Sequence, residues 1–219
     1  MKGIKKILIS AVAMSAAVSL MTGCIKYEDP NQAARDAAAA RLSAYEEEAA
    51  PLRDGLHHVE MDIQDYGTIY IELDADAAPI TTHNFMDLAS SGFYNGLTFH
   101  RIISGFMIQG GDPNGDGTGG SGHTIIGEFA NNGIENPISH TRGAIAMGRN
   151  AQNMDSASSQ FYIVHEDYQS IDGNYATFGH VTEGMEIVDA ICENTVNSGP
   201  NGAVAPEDQP VITEVRVID

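Results

Sequence analysis

The residues best placed to do chemistry lie in one stretch, Phe99-His100-Arg101-Ile102-Ile103-Ser104-Gly105-Phe106-Met107-Ile108-Gln109-Gly110-Gly111-Asp112. It reads as two short strands joined by a tight Ser104-Gly105 turn. The first strand carries a cation, Arg101. The second carries the large apolar side chains of Phe106 and Met107, then the amide of Gln109. Arginine is rarely drawn into apolar surroundings without a partner. A plain core hairpin with a surface arginine would leave the company of His100, Arg101 and Gln109 unexplained. A rigid, permanently charged multi-donor beside apolar surface suits electrostatic catalysis in a medium of low polarity.

Other candidate chemistries fail on context. Gly115-Asp116-Gly117-Thr118-Gly119-Gly120 fits a dinucleotide fingerprint, but no helix opens after it. Asp112-Pro113-Asn114-Gly115-Asp116-Gly117 mimics the start of a calcium loop, yet the position that needs a bidentate Glu is His123. The eight histidines are scattered, with neither the helical spacing nor the cysteine partners of a zinc motif, so no metal site is read. No serine nucleophile elbow is present.

The stretch resembles, nearly residue for residue, the signature of the cyclophilin family of peptidyl-prolyl cis-trans isomerases. Two further blocks carry the same resemblance in the same order. One is Gly143-Ala144-Ile145-Ala146-Met147 with Ser158-Ser159-Gln160-Phe161-Tyr162-Ile163; the other is Ile171-Asp172-Gly173-Asn174-Tyr175-Ala176-Thr177-Phe178-Gly179. The resemblance runs from about His57 to Asp219. It implies an isomerase of X–Pro bonds that uses no cofactor.

The chemistry such a site would perform is rotation about an amide, resisted by a barrier of about 18–20 kcal/mol. No covalent bond is made or broken. The catalyst need only bind the twisted amide better than either planar form. Twisting localises the lone pair on the prolyl nitrogen, where a guanidinium can donate. The resemblance assigns Arg101 as catalytic, with His100 and Gln109 supporting it. Phe106, Met107, Tyr162 and Ile171 take the proline ring. Gln109 and Gln160 hold peptide backbone and orient the arginine. Phe99 flanks the site, Tyr175 supplies an aromatic wall, and Asn150 and Arg149 contact the substrate backbone. Tyr162 stands where many members have Phe, and its hydroxyl needs a partner. Tyr175 replaces a His common in eukaryotic members. Ser170 stands where some have Trp, which implies weak cyclosporin binding at most. The loop between Met147 and Gln160 is longer than in common members. A module that grips proline peptides as a holdase, without turnover, is the alternative reading of the same pocket.

The elements that must position these residues are short. Val59, Met61 and Ile63 alternate with Glu60 and Asp62, the period of a half-buried strand, and Thr68–Leu73 returns beside it. Further strands are read at Leu97–Ile102, Phe106–Gly110, Gly143–Met147, Gln160–Val164, Ala176–Val181 and Ile212–Ile218. One helix opens near Pro79 with Thr81 or Thr82 as its cap and ends at Gly92; another spans Met185–Cys192 and buries Cys192. Many short strands, frequent glycines and two helices suggest a mainly β protein built on a closed antiparallel sheet. The resemblance sharpens this to an eight-stranded barrel with a helix over each end.

The chain has 219 residues, with 11 Lys+Arg against 30 Asp+Glu, formally −19. That balance repels nucleic acid, whose phosphates need clustered cations. Lys2, Lys5 and Lys6 precede an uncharged, mostly apolar run from Ile7 to Met21, the outline of a signal peptide. The run closes on Leu20-Met21-Thr22-Gly23-Cys24, which resembles a bacterial lipoprotein cleavage box with Cys24 lipidated. The organisation read is a signal peptide over 1–23, a lipidated Cys24 and Ala/Glu-rich tether over 24–55, and the isomerase domain over 56–219. The tether shows no apolar stripe and reads as a spacer, partly helical and mobile, with a helix docked on the domain as the alternative. The location implied is extracytoplasmic, anchored to a bacterial cell membrane, with exported proline-containing polypeptides as partners.

Overall fold

The structure is a computed structural model, and it describes residues 32–196 and 199–219. The export segment and Cys24 lie outside the described residues. Three helices and eight strands follow in the order α1 (Gln32–Ala49), β1 (Leu56–Ile63), β2 (Gly67–Asp74), α2 (Pro79–Ser90), β3 (Thr98–Ile103), β4 (Met107–Asp112), β5 (Ala144–Met147), β6 (Phe161–Val164), β7 (Thr177–Glu183), α3 (Met185–Asn194) and β8 (Ile212–Val217).

All strand pairs are antiparallel, in the order β3-β4-β6-β5-β7-β2-β1-β8. In β1 and β2 the alternation seen in the sequence sends Val59, Met61, Ile63, Ile69, Ile71 and Leu73 inward. Strong twist curls the sheet, but the expected closed barrel is corrected to a half-barrel. The outer strands meet at one end only, through Phe99 N–H to Pro210 O (3.0 Å), Ile212 N–H to Leu97 O (2.8 Å) and a single bridge between Thr98 and Val211. Farther along, the segment around Ala203 takes the free edge of β3: Arg101 bridges Ala203, and Val204 N–H donates to His100 O at 3.0 Å. Covering an edge in this way removes the need for a continuous ladder.

Inside the curl, Phe85 from α2 packs against Tyr94, Phe161 and Phe178 with ring centroids 4.9–5.4 Å apart. The start of α2 departs from expectation. Its cap is Ala78, which offers no side chain, and Thr81 and Thr82 are buried within the helix. The backbone donors of the first turn, which are buried, are instead met by a distant carboxylate. Glu128 accepts from Ile80 N–H at 3.1 Å and Thr81 N–H at 2.8 Å, as an anion at a helix N-terminus should.

The same Glu128 accepts from the Tyr45 hydroxyl at 3.1 Å and so fastens α1. Tyr45 and Ala49 are buried, and Arg41 donates to Asn132 O at 2.8 Å and Asp155 at 3.0 Å. Over Gln32–Ala49 the second of the two readings of the tether holds: the segment is a helix docked on the sheet domain and not a mobile spacer. The sequence does not mark it with an amphipathic stripe, because Tyr45 and Ala49 alone among its residues are buried and the remaining attachment is polar, through Arg41. Cys192 is buried on α3 as expected, and burial pushes its thiol pKa up to about 11.

Candidate active site

Strand register builds the site. Arg101 on β3 lies opposite Gln109 on β4, Gln109 opposite Tyr162 on β6, and Tyr162 opposite Ala146 on β5. Four strands thus present one row of side chains. That row belongs to an apolar cluster separate from the main core: Met107, Ala144, Ala146, Tyr162 and Val164, with Ile103, Phe106, Ile171 and Tyr175 packed against it. Neighbouring residues Ile108, Ile145, Phe161 and Ile163 point the other way, into the main core.

Over this cluster lies a cavity of about 180 Å³ lined by Arg101, Phe106, Met107, Gln109, Tyr162, Ile171 and Tyr175, with Gly148 and Arg149 at its rim. It is below the size of sites for drug-sized ligands and fits one small ring. Tyr175 stands edge-on to Tyr162 at 5.8 Å, and Tyr168 backs Phe106 at 4.3 Å. Arg149 lies over the Tyr175 ring at 4.9 Å and donates to Asn174 O at 2.8 Å, so a second guanidinium braces the aromatic wall.

Arg101 is aimed by neutral acceptors. Its Nε donates to Asn201 O at 2.8 Å and one terminal nitrogen donates to Gln109 Oε1 at 3.1 Å. It forms no ion pair with any described carboxylate. Its charge is not neutralised locally, and partial burial draws its pKa below the ordinary arginine value. Gln109 in turn donates through Nε2 to Gln160 Oε1 at 2.8 Å. Gln160 donates to the carbonyls of Gly117 and Gly119 at 3.0 and 2.9 Å. These carbonyls can only accept, so the polarity of the whole chain is set, and Gln109 must turn its oxygen toward Arg101.

The glycine-rich loop is held by Asp112, whose carboxylate accepts from the backbone N–H groups of Asn114, Asp116 and Gly117. The loop serves as an anchor for Gln160. A buried carboxylate spent on backbone donors in this way is not free for a cation.

Three expected site residues fall elsewhere. Phe99 is fully buried in the main core, because a bulge in β3 between Phe99 and Arg101 breaks the alternation that would have put both on one face. His100 is buried beside Arg101 and lines a second cavity that it shares with Arg101 and Gln109, together with Asp116, Asn201 and Gln209; neither ring nitrogen has a partner among the described residues. Burial sets its imidazole below the ordinary pKa, against the charge of Asp112, which works to raise it. Asn150 borders an adjoining groove of about 360 Å³, and its side-chain oxygen is taken by Gln152 N–H at 2.8 Å. Gln160 borders that groove too.

Sequence reasoning missed the residues behind Tyr162. The Tyr162 hydroxyl lies 2.9 Å from His140 Nε2, and His140 Nδ1 lies 2.8 Å from Asp172 Oδ1. The only signal available was the surplus hydroxyl of Tyr162, which demanded a partner without naming it.

A curled antiparallel sheet with an apolar niche beside one fixed cation defines a protein that takes a small ring and holds the chain next to it. The family model for the cyclophilin type peptidyl-prolyl cis-trans isomerases matches residues 58–217. The peptidyl-prolyl cis-trans isomerase B of Bacillus subtilis is 47% identical over 124 residues, covering 57% of this chain and 82% of that protein. The peptidyl-prolyl cis-trans isomerase A of Dickeya dadantii is 40% identical over 158 residues, covering 69% and 80%. The crystal structure of a Cryptosporidium parvum cyclophilin type isomerase, determined in the presence of the dipeptide Ala-Pro, superposes with a TM-score of 0.64 at 29% identity, over 74% of this chain and 99% of that one. The chain belongs to the cyclophilin type peptidyl-prolyl cis-trans isomerase family, and its activity is that of an isomerase.

Proposed function

We propose that this isomerase acts on proline-containing segments of exported polypeptides, with Arg101 as the catalytic group and a lipid on Cys24 holding it to a bacterial cell membrane. The observation that carries the catalytic reading is Arg101 itself: a guanidinium without a counter-ion among the described residues, aimed by Gln109 and Asn201 at the edge of a niche of single-ring size.

The reaction follows from that geometry. The proline ring enters between Phe106, Met107, Tyr162 and Ile171, which fixes one side of the amide. The preceding residue stays free to rotate. As the C–N bond twists, its nitrogen regains a lone pair, and Arg101 donates to it. A planar amide offers no such acceptor, so the interaction is gained only near the transition state. Gln109 and Gln160 hold the guanidinium and offer amide groups to the substrate backbone. No proton changes hands. The Ala-Pro dipeptide used with the Cryptosporidium parvum enzyme supports a small X–Pro unit as the recognised element.

The membrane reading rests on the sequence of residues 2–24. Docking of α1 sharpens its consequence. Between Cys24 and Gln32 the chain spans at most about 30 Å even when fully extended, so an anchored domain would work close to the bilayer rather than on a long leash.

A protease-coupled or NMR exchange assay on a short X–Pro peptide tests the activity, and binding without acceleration would make the protein a holdase. Mass spectrometry of the mature chain tests the anchor; an unmodified Cys24 would remove it.

A further inference from the structure

Asp54, His57 and His83 come together away from the pocket, where the segment after α1 meets β1 and α2. His57 lies on β1 and His83 on α2, while Asp54 immediately precedes β1. The Nε2 atoms of both imidazoles converge on the same carboxylate oxygen, Asp54 Oδ1, at 2.8 and 3.1 Å. The rings meet edge to face with centroids 5.8 Å apart. One ligand atom from each residue lies within 4.8 Å of the other two. His83 Nε2 is also 3.1 Å from the Leu52 carbonyl oxygen. The histidine side chains are 16% and 25% exposed and Asp54 46%, so an ion could enter from solvent.

We propose that Asp54, His57 and His83 form a binding site for a divalent transition-metal ion, with zinc the ion that the donor set fits. Two imidazoles and a carboxylate are borderline-soft ligands; calcium and magnesium would require oxygens throughout. Zinc bonds of about 2.0–2.2 Å in a tetrahedron place neighbouring ligand atoms roughly 3.4 Å apart. The two carboxylate–imidazole separations, 2.8 and 3.1 Å, fall just short of that value, and small rotations of the exposed Asp54 would reach it. Hydrogen bonding alone accounts poorly for the arrangement. One carboxylate oxygen serves two ring nitrogens, while the other accepts from none of the described residues. An ion at the point of convergence would use all three side chains, with the Leu52 carbonyl or water as a fourth ligand. Each ring would present its Nε2 lone pair, its proton moving to Nδ1. The formal charge of −19 favours accumulation of cations at the surface.

Such spacing hides from motif reading, because position 83 meets 54 and 57 only when α2 packs against the turn at Ala50–Leu52 that leads into β1. The bound ion would join three elements and clamp the end of the α1 segment to the sheet domain.

Calorimetric titration of the EDTA-treated full chain with zinc chloride tests this. The expected result is one equivalent bound with a dissociation constant below about 100 μM, and a melting temperature raised by about 5 °C or more at hundredfold excess over that constant. His57→Gln and His83→Gln should each weaken binding by about tenfold or more, while His123→Gln, outside the cluster, should not. In parallel, ¹⁵N shifts of the histidine rings should move at Nε2 of His57 and His83 on addition of zinc. If either variant fails to fold in EDTA, Asp54→Asn and the ring shifts decide. Unchanged affinity in the folded variants, ring shifts confined to other histidines, or no stoichiometric binding would overturn the proposal.

Discussion

The Tyr162 hydroxyl meets His140 Nε2 at 2.9 Å, and His140 is locked from behind by Asp172. With Asp172 accepting from Nδ1–H, Nε2 carries a lone pair and the phenol donates to it. A pocket wall that must stay apolar toward substrate thereby keeps its one polar atom turned inward and satisfied. Tyr162→Phe should keep the ring and remove only the hydroxyl. Turnover should stay within about threefold of wild type, while stability falls by about 1 kcal/mol as buried Nε2 loses its principal partner. Thr177 Oγ1, at 3.4 Å, is a poor substitute. Peptide isomerisation and chemical denaturation of the same preparation check both halves.

Arg101→Ala should lower kcat/KM by about a hundredfold, equivalent to about 2.7 kcal/mol of lost transition-state stabilisation. The fold should survive, because the side chain is only half-buried and pairs with no carboxylate among the described residues. Arg101→Lys should rescue little, since one ammonium cannot engage Asn201 O, Gln109 Oε1 and the substrate in the same fork geometry. Turnover near wild type in the alanine variant would remove Arg101 from the mechanism.

Gln160→Ala should act at a distance through Gln109. Without Gln160 Oε1 to accept from it, the Gln109 amide can flip and present its NH₂ to Arg101. An activity loss of about tenfold is expected, with proline-peptide binding reduced less than turnover. Equal losses in both would point to a contact with substrate instead of a role in orientation.

The rate and the stability should respond differently to pH. With no proton transfer, the rate should be nearly flat between mildly acidic and mildly basic pH, and a bell-shaped profile would contradict the mechanism. Stability should fall on acidification. Burial holds the imidazoles of His100 and His140 below their ordinary pKa, so the unfolded chain binds protons more readily than the native one. Their contribution is therefore complete above the unfolded value of about 6.5 and is lost as pH drops from there toward the folded values. His58 acts with the opposite sign, raised by its hydrogen bond with Asp219, but its exposure keeps the effect small. Urea midpoints measured across this range should decrease toward pH 5.

Glu128→Ala should destabilise the protein by about 3 kcal/mol, since it strips the α2 N-terminus of its acceptor and leaves buried donors unpaired. Tyr45→Phe should cost about 1 kcal/mol through the same carboxylate. A Tyr45→Phe protein as stable as wild type would mean that the Tyr45–Glu128 hydrogen bond contributes nothing to holding α1, leaving that to Arg41 and the buried rings and methyls.

The sequence by itself determined the family, the strand positions to within a residue or two, and the group of Arg101, Phe106, Met107, Gln109, Tyr162, Ile171 and Tyr175 around one pocket. The strands were legible because period-two alternation is a local property, whereas the pocket group was legible only through the resemblance of contiguous motifs to a family, since Ile171 and Tyr175 stand outside the strands. Tertiary structure alone decided the remainder. A bulge turned Phe99 inward and sent His100 to another cavity, and alternation cannot register an added residue. The docking of α1 rests on Tyr45 reaching Glu128 and Arg41 reaching Asp155, contacts 83 and 114 residues apart. The partners of Tyr162 and the convergence of Asp54, His57 and His83 are of the same kind. Polar contacts across such separations leave no periodic trace in the chain, because they exist only once the sheet has curled and brought its distant loops together.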